Sequence, residues 1–134
     1  MSFQPAELIV NVEELSWVPV GDGAWAKLLR ACPETGTWTV MLKQAAGTFA
    51  PPHRHLGPAD FYVLEGRIEY RGGVAEAGYF AREPMGAEHA KTSFPEETVY
   101  LFTSYGPLAM YGPDGNIAGI MDAEAWHKML SPSK

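Results

Sequence analysis

Short apolar segments rich in Val, Ile, Tyr, Phe, Trp and Thr recur along this chain, set apart by polar stretches that 14 glycines and 11 prolines punctuate. β-Branched and aromatic residues fit a pleated, half-buried surface, so the pattern predicts a mostly β fold. A first hairpin pairs residues 24–32 with 37–44 across Pro33-Glu34-Thr35-Gly36, where proline and glycine stand at favourable turn positions. A second joins 61–64 to 68–71 across Glu65-Gly66-Arg67. Further strands are expected at 78–82, 87–92, 98–103 and 108–111, and a short one at 117–121 after the turn Pro113-Asp114-Gly115-Asn116. Asp122 then caps a short C-terminal helix, with Glu124 in its first turn and Lys128 toward its end to complement the helix dipole; Ser131-Pro132 stops it. A closed or nearly closed antiparallel barrel accounts for this number of strands.

Composition narrows the function. The 134 residues, 46% hydrophobic and 19% charged, make one globular domain spanning 1–134, long enough to bury a core without staples. A net charge of -6 leaves no electrostatic footprint for nucleic acid and disfavours anionic membrane surfaces, so small neutral or weakly acidic ligands are expected. No basic stretch followed by an apolar run opens the chain, and no apolar segment approaches membrane-spanning length; a cytoplasmic location is expected. Cys32 is the single cysteine, which excludes an internal disulfide framework and suits a reducing compartment.

The chemistry gathers on histidines. His53 and His55 stand two apart after a pair of prolines, and on an extended strand residues i and i+2 share a face, so these two imidazoles can grip one cation. Gly47 precedes His53 by six residues, and Phe61-Tyr62-Val63-Leu64-Glu65-Gly66 ends the same segment. A second segment runs Gly78, Pro84, Gly86, His89, with five, one and two residues between successive members. His127, on the expected helix, reads as a solvated or capping residue.

In order and spacing the two segments resemble the two motifs of the cupin family, whose small β-barrels hold a divalent metal on histidines from both. The resemblance implies an all-β, cupin-type antiparallel barrel (jelly roll) with a short C-terminal helix, and it adds His89 to His53 and His55 as a metal ligand. Two positions depart from the pattern. Ser93 stands where the second motif usually ends in asparagine, and Ala59 stands where the first usually supplies a glutamate ligand four residues after its second histidine. Asp60 is next to it, but strand neighbours face opposite sides, so Asp60 reaches the site only through a bulge. Three neutral imidazoles leave the charge of a dication uncompensated. Such an ion is a strong Lewis acid, favours a chelating anionic ligand such as an enolate, and keeps positions open for substrate or dioxygen.

From His53 to about residue 126 the chain is similar to one branch of the cupins, the acetylacetone-cleaving dioxygenases and the related ChrR-type domains, in which three histidines hold iron without the glutamate. The residues that carry this are His53-Arg54-His55 with Gly57-Pro58, Arg71-Gly72-Gly73, Lys91-Thr92 with Phe94-Pro95, Gly106-Pro107-Leu108 and Pro113-Asp114-Gly115. The resemblance implies a non-haem Fe(II) dioxygenase, an oxidoreductase cleaving a carbon–carbon bond in a β-diketone or hydroxyacetophenone-like ketone bound as its enolate. Zn, Ni, Cu or Co can occupy a three-imidazole site according to availability.

The family also places an arginine and a glutamate just outside the metal shell, which fall on Arg71 and Glu83; a family tyrosine beside them is Phe61 here. If Arg67 belongs to the loop of the second hairpin, Phe61 pairs with Arg71 and both face the site; with a two-residue loop Arg71 faces out. Two other readings of the same site stand open: a non-catalytic metal or small-molecule sensor of the ChrR type, and a metal-assisted isomerase or hydrolase of an enolisable compound. The apolar segment 8–12 is expected to form an edge strand that pairs two copies into a homodimer.

Overall fold

The computed structural model describes residues 7–89 and 91–130. The structure is mostly strand and closes on itself as a cupin-like jelly roll with one C-terminal helix. One sheet has six strands in the order β1 (Val18–Gly21), β2 (Ala24–Cys32), β3 (Thr37–Gln44), β12 (Thr98–Ser104), β6 (Ala59–Glu65), β9 (Phe80–Glu83). A second has the order β10 (Glu88–His89), β5 (His53–His55), β13 (Leu108–Tyr111), β14 (Ile117–Met121). The third has the order β4 (Thr48–Ala50), β11 (Thr92–Phe94), β7 (Arg67–Tyr70), β8 (Gly73–Glu76).

The first hairpin forms with the expected bounds because its turn is locally encoded. Gly36, at φ +80°, returns its N–H to the Cys32 carbonyl at 2.8 Å, and β2 pairs antiparallel with β3 through Cys32 opposite Thr37. Strand β12 shows the alternation most clearly: Thr98, Tyr100, Phe102 and Ser104 are buried while the residues between them are half-exposed. With Val40, Trp38, Phe61, Val63 and Phe94 they fill the interior. Helix α1 (Ala123–Leu130) follows β14, and the Asp122 carboxylate accepts the Ala125 N–H at 2.8 Å, the cap expected from sequence. The expected stop at Ser131-Pro132 lies outside the described residues.

Three expectations are corrected. The segment 61–64 does not pair with 68–71: β6 is flanked by β12 and β9, which take both of its edges, while β7 pairs with β8 and β11 in another sheet. Glu65-Gly66-Arg67 is therefore a corner between sheets, held by Thr98, whose hydroxyl accepts from the Arg67 N–H at 3.0 Å and donates to the Arg67 carbonyl at 3.1 Å. The run 87–92 is not one strand; β10 and β11 lie in different sheets. Residues 8–11 form no strand, and Val12–Glu14 is a single 3-10 turn, so no edge strand exists there to pair two copies, although Leu8 and Ile9 are exposed. Strands β1, β4 and β8 were not anticipated.

Candidate metal centre

Strand β5 is the platform of the site. It pairs on one side with β13, Leu108 opposite His55 and Met110 opposite His53, and on the other with β10, where His89 lies directly opposite His53. Opposed residues on one face have their Cβ atoms about 5 Å apart, so the pairing alone brings an imidazole of the second segment onto the HxH pair. The backbone of His55 is clasped at both ends by the second segment: its N–H donates to the Ala87 carbonyl at 2.8 Å, and its carbonyl accepts from Gly86 at 2.7 Å. Gly86 can make that return because it sits at φ +86°, which a side-chain-bearing residue rarely adopts.

The three rings form a nearly equilateral triangle. Centroids are 5.1 Å apart for His53 and His55, and 5.0 Å for the other two pairs, with interplanar angles of 67°, 63° and 82°. Edge-on rings aim nitrogens inward instead of stacking, and one nitrogen from each lies within 4.8 Å of the others. His55 is fully buried and His89 is 7% exposed, and among the described residues nothing hydrogen-bonds the Nδ1 of either ring or the His55 Nε2. Buried imidazole nitrogens left without partners are costly, and a shared cation resolves that cost. His53 Nδ1 lies 2.9 Å from the Pro51 carbonyl, which fixes that nitrogen as the protonated one and leaves Nε2 with its lone pair. The residues present fit a divalent ion. His127 lies on α1, outside this group.

Glu83 changes the expected charge of the site. On β9 it stands directly across from Ala59, the position that lacks the carboxylate, so the neighbouring strand returns one to the same place. Its oxygens lie 3.6 Å from His55 Nε2 and 2.5 Å from His89 Nε2, and the side chain is buried. Burial alone would push its carboxyl up, but the two imidazoles against it outweigh burial and hold it down to about 2. The cation's surroundings are thus not wholly neutral. Asp60, by contrast, stays out: the β6 register is regular at that position, and its carboxylate accepts from the Tyr105 hydroxyl at 3.3 Å.

Arg71 lies in the exposed turn between β7 and β8. Neither pairing with Phe61 applies, since that hairpin does not form, and Arg71 borders an outer hollow behind Glu83 and His89, together with Arg82. Inside, a small cavity of about 40 Å³ is bounded by His53, His89, Glu83, Phe61, Tyr70 and Tyr100 among others. The ring of Tyr70 packs edge-on to His89 at 5.1 Å, and Tyr100 packs edge-on to Phe61 at 6.0 Å. Among the described residues no hydrogen bond engages the hydroxyl of Tyr70 or Tyr100. Burial, then the Glu83 charge, pushes both phenols up, so they stay neutral donors. Tyr70 was missed from sequence. Tyr100 lies on the expected strand 98–103, and its inward face was readable only once β12 had an anchor.

The family model described as the ChrR Cupin-like domain matches residues 5–109. This chain is a ChrR-like cupin. The cupin is 36% identical over 132 residues to the acetylacetone-cleaving enzyme of Acinetobacter johnsonii, covering 90% of this chain and 86% of that protein. The crystal structure of an acetylacetone dioxygenase from Acinetobacter johnsonii superposes with a TM-score of 0.89 at 28% identity, covering 100% of this chain and 97% of that one. The Rhodobacter sphaeroides complex of SigE with the anti-sigma factor ChrR shares the cupin's fold, with a TM-score of 0.62 at 20% identity over 70% of this chain and 51% of that one. Among the described residues no helix is long and apolar enough to cross a membrane.

Mild acid should leave the His53 ring of this cupin available to a metal. An imidazole must be neutral to ligate, and burial lowers the His53 pKa from the ordinary 6.5, the Pro51 hydrogen bond only partly offsetting it. More than half of the ring population therefore remains neutral at pH 6.5, where an ordinary imidazole would be half charged. In the metal-free protein the His53 imidazole resonances, followed by NMR between pH 5 and 8, should titrate with a midpoint below 6.5; a midpoint above 6.5 would contradict this.

Proposed function

We propose that this cupin is a metal-dependent dioxygenase that cleaves a carbon–carbon bond in a β-diketone or hydroxyacetophenone-like ketone, with Fe(II) held by His53, His55 and His89. The observation that carries the reading is the convergence of three imidazole rings, with one nitrogen of each within 4.8 Å of the others, in a chain 36% identical to an acetylacetone-cleaving enzyme. When bound, the ion supplies Lewis-acid polarisation of a chelating dicarbonyl and redox access to dioxygen.

The chain's own groups do the rest. Glu83 holds the His55 and His89 rings and offsets one unit of the cation's charge, which makes it a positioning residue. Tyr100, and at the other side Tyr70, present neutral O–H donors to the oxygens of a ligand lying at the histidines. Phe61, Phe94 and Phe102 keep bulk water from that space. Arg71 acts on the approach of an anionic enolate at the outer hollow, not on its bound form.

Oxygen consumption by Fe(II)-loaded protein with acetylacetone, benzoylacetone and 2-hydroxyacetophenone tests the proposal. Uptake equimolar with ketone loss supports it. No uptake with any of them overturns it, and ketone binding without turnover would favour a ligand-binding module instead. Glu83→Gln keeps the shape of the side chain but removes its charge, and it should weaken zinc binding by about 10–100-fold. Unchanged affinity by chelator competition would remove Glu83 from the site.

A further inference from the structure

Two hollows meet at His53. Ala50, His53, Tyr100 and Phe102 border both the small cavity at the histidines and a second cavity of about 390 Å³ on the other side. This larger chamber lies between the sheets under α1, walled by Trp38, Leu42, Met110, Met121, Trp126 and Met129. Its floor is fixed: the Trp38 indole N–H donates to the Gly106 carbonyl at 3.2 Å, and Trp126 packs on Trp38 at 5.3 Å. The three methionines give the rest of the wall some freedom to adapt. Polar groups are few, and the Gln44 amide N–H is already committed to Thr48 at 3.0 Å. The carboxylate in the lining, Asp22, is exposed, so an anionic group in the chamber would be desolvated without a partner, whereas hydrocarbon would gain from every buried methylene. The volume is within the range of cavities that enclose whole drug-sized ligands, and a methyl-substituted dicarbonyl head at the histidines leaves it unused.

We infer that the substrate carries, on one side of its oxygen-bearing head, an apolar alkyl or aryl substituent of several carbons that occupies this chamber. The inference rests on the metal-centre reading above and sets its substrate class. The head lies at His53, His55 and His89, and the tail passes between Tyr100 and Ala50 toward Trp38 and Trp126. Specificity then comes from length and hydrophobicity, at up to about fourfold in affinity per buried methylene.

Zinc-loaded protein, which binds without turning over, allows the test by calorimetry with acetylacetone, 2,4-nonanedione and benzoylacetone. The expected result is binding of nonanedione and benzoylacetone at least tenfold tighter than acetylacetone, with quenching of tryptophan fluorescence. Leu42→Trp or Met110→Phe, which fill the chamber, should collapse the difference between the diketones. Equal affinities across the series in the unmodified protein would overturn the inference while leaving the proposed reaction standing. Failure of every diketone to bind would overturn both.

Discussion

Replacing His55 by alanine is expected to abolish stoichiometric metal binding, weakening affinity for zinc or Fe(II) by more than about a hundredfold. His55 is the most deeply placed of the three, fully buried, with its backbone locked to Gly86 and Ala87 on one side and to β13 on the other. Asp60 points elsewhere and Ala59 offers no donor, and the carboxylate beside His55, Glu83, already engages His89. The metal-free protein should respond differently. Both nitrogens of this ring lack hydrogen-bond partners, so its removal relieves an unsatisfied polar group while opening a cavity, and the two effects oppose each other. The contrast appears in thermal unfolding with and without zinc. A ligand at a hundred times its dissociation constant stabilises by about 2.7 kcal/mol, which for a chain of this size is on the order of 10 °C. The unmodified protein should show that rise and the variant should not; an equal rise in both would place the metal elsewhere.

The largest stability effect is expected at Gly66. Its φ is +87°, and a Cβ built there would lie 2.3 Å from the Glu97 carbonyl oxygen and 2.6 Å from Thr98 Cα, both backbone atoms that cannot move aside cheaply. Left-handed strain and overpacking each cost about 1–3 kcal/mol, so Gly66→Ala should lose about 3–5 kcal/mol, a large part of a typical domain's stability. Gly36→Ala is the control: its φ is +80° but nothing lies within 4 Å of the added carbon, so only the backbone term, about 1 kcal/mol, applies. Urea unfolding of the two variants should show a midpoint drop several times larger for Gly66→Ala. Equal drops would mean that the corner between β6 and β7 is not packed against Glu97 and Thr98.

That corner also shows where sequence reading stopped. The hairpin of β2 and β3, the strands β13 and β14 and the cap of α1 were all legible, because their signals are local: a Pro-Glu-Thr-Gly turn, a Pro-Asp-Gly-Asn turn and an aspartate before a helix. Gly66 signals a left-handed residue equally well in a hairpin or a corner, and which one forms depends on β12 and β9 taking both edges of β6 from far along the chain. The position of Arg71 was lost with that hairpin. Likewise 87–92 reads as one run of strand-forming residues, but its ends are claimed by different sheets.

At the site, the spacing of His53 and His55 and the second segment ending in His89 pointed to a cluster, and the structure brings these three rings together. Glu83 was placed near them by counting alone. Its true setting, facing Ala59 across the β6–β9 pairing and so returning a carboxylate where the first segment lacks one, needs the register, which no local pattern encodes. Tyr100 and the chamber under α1 depend in the same way on which faces of β3, β12 and β13 turn inward.

The central claim is that three imidazoles converge on one divalent cation. X-ray absorption at the metal edge of the Fe(II)-loaded protein tests it most directly. The account predicts one bound iron with three imidazole rings in its scattering shell, at about 2.0–2.2 Å, completed by oxygen donors. A shell with fewer than three imidazoles, or with sulfur, would contradict it.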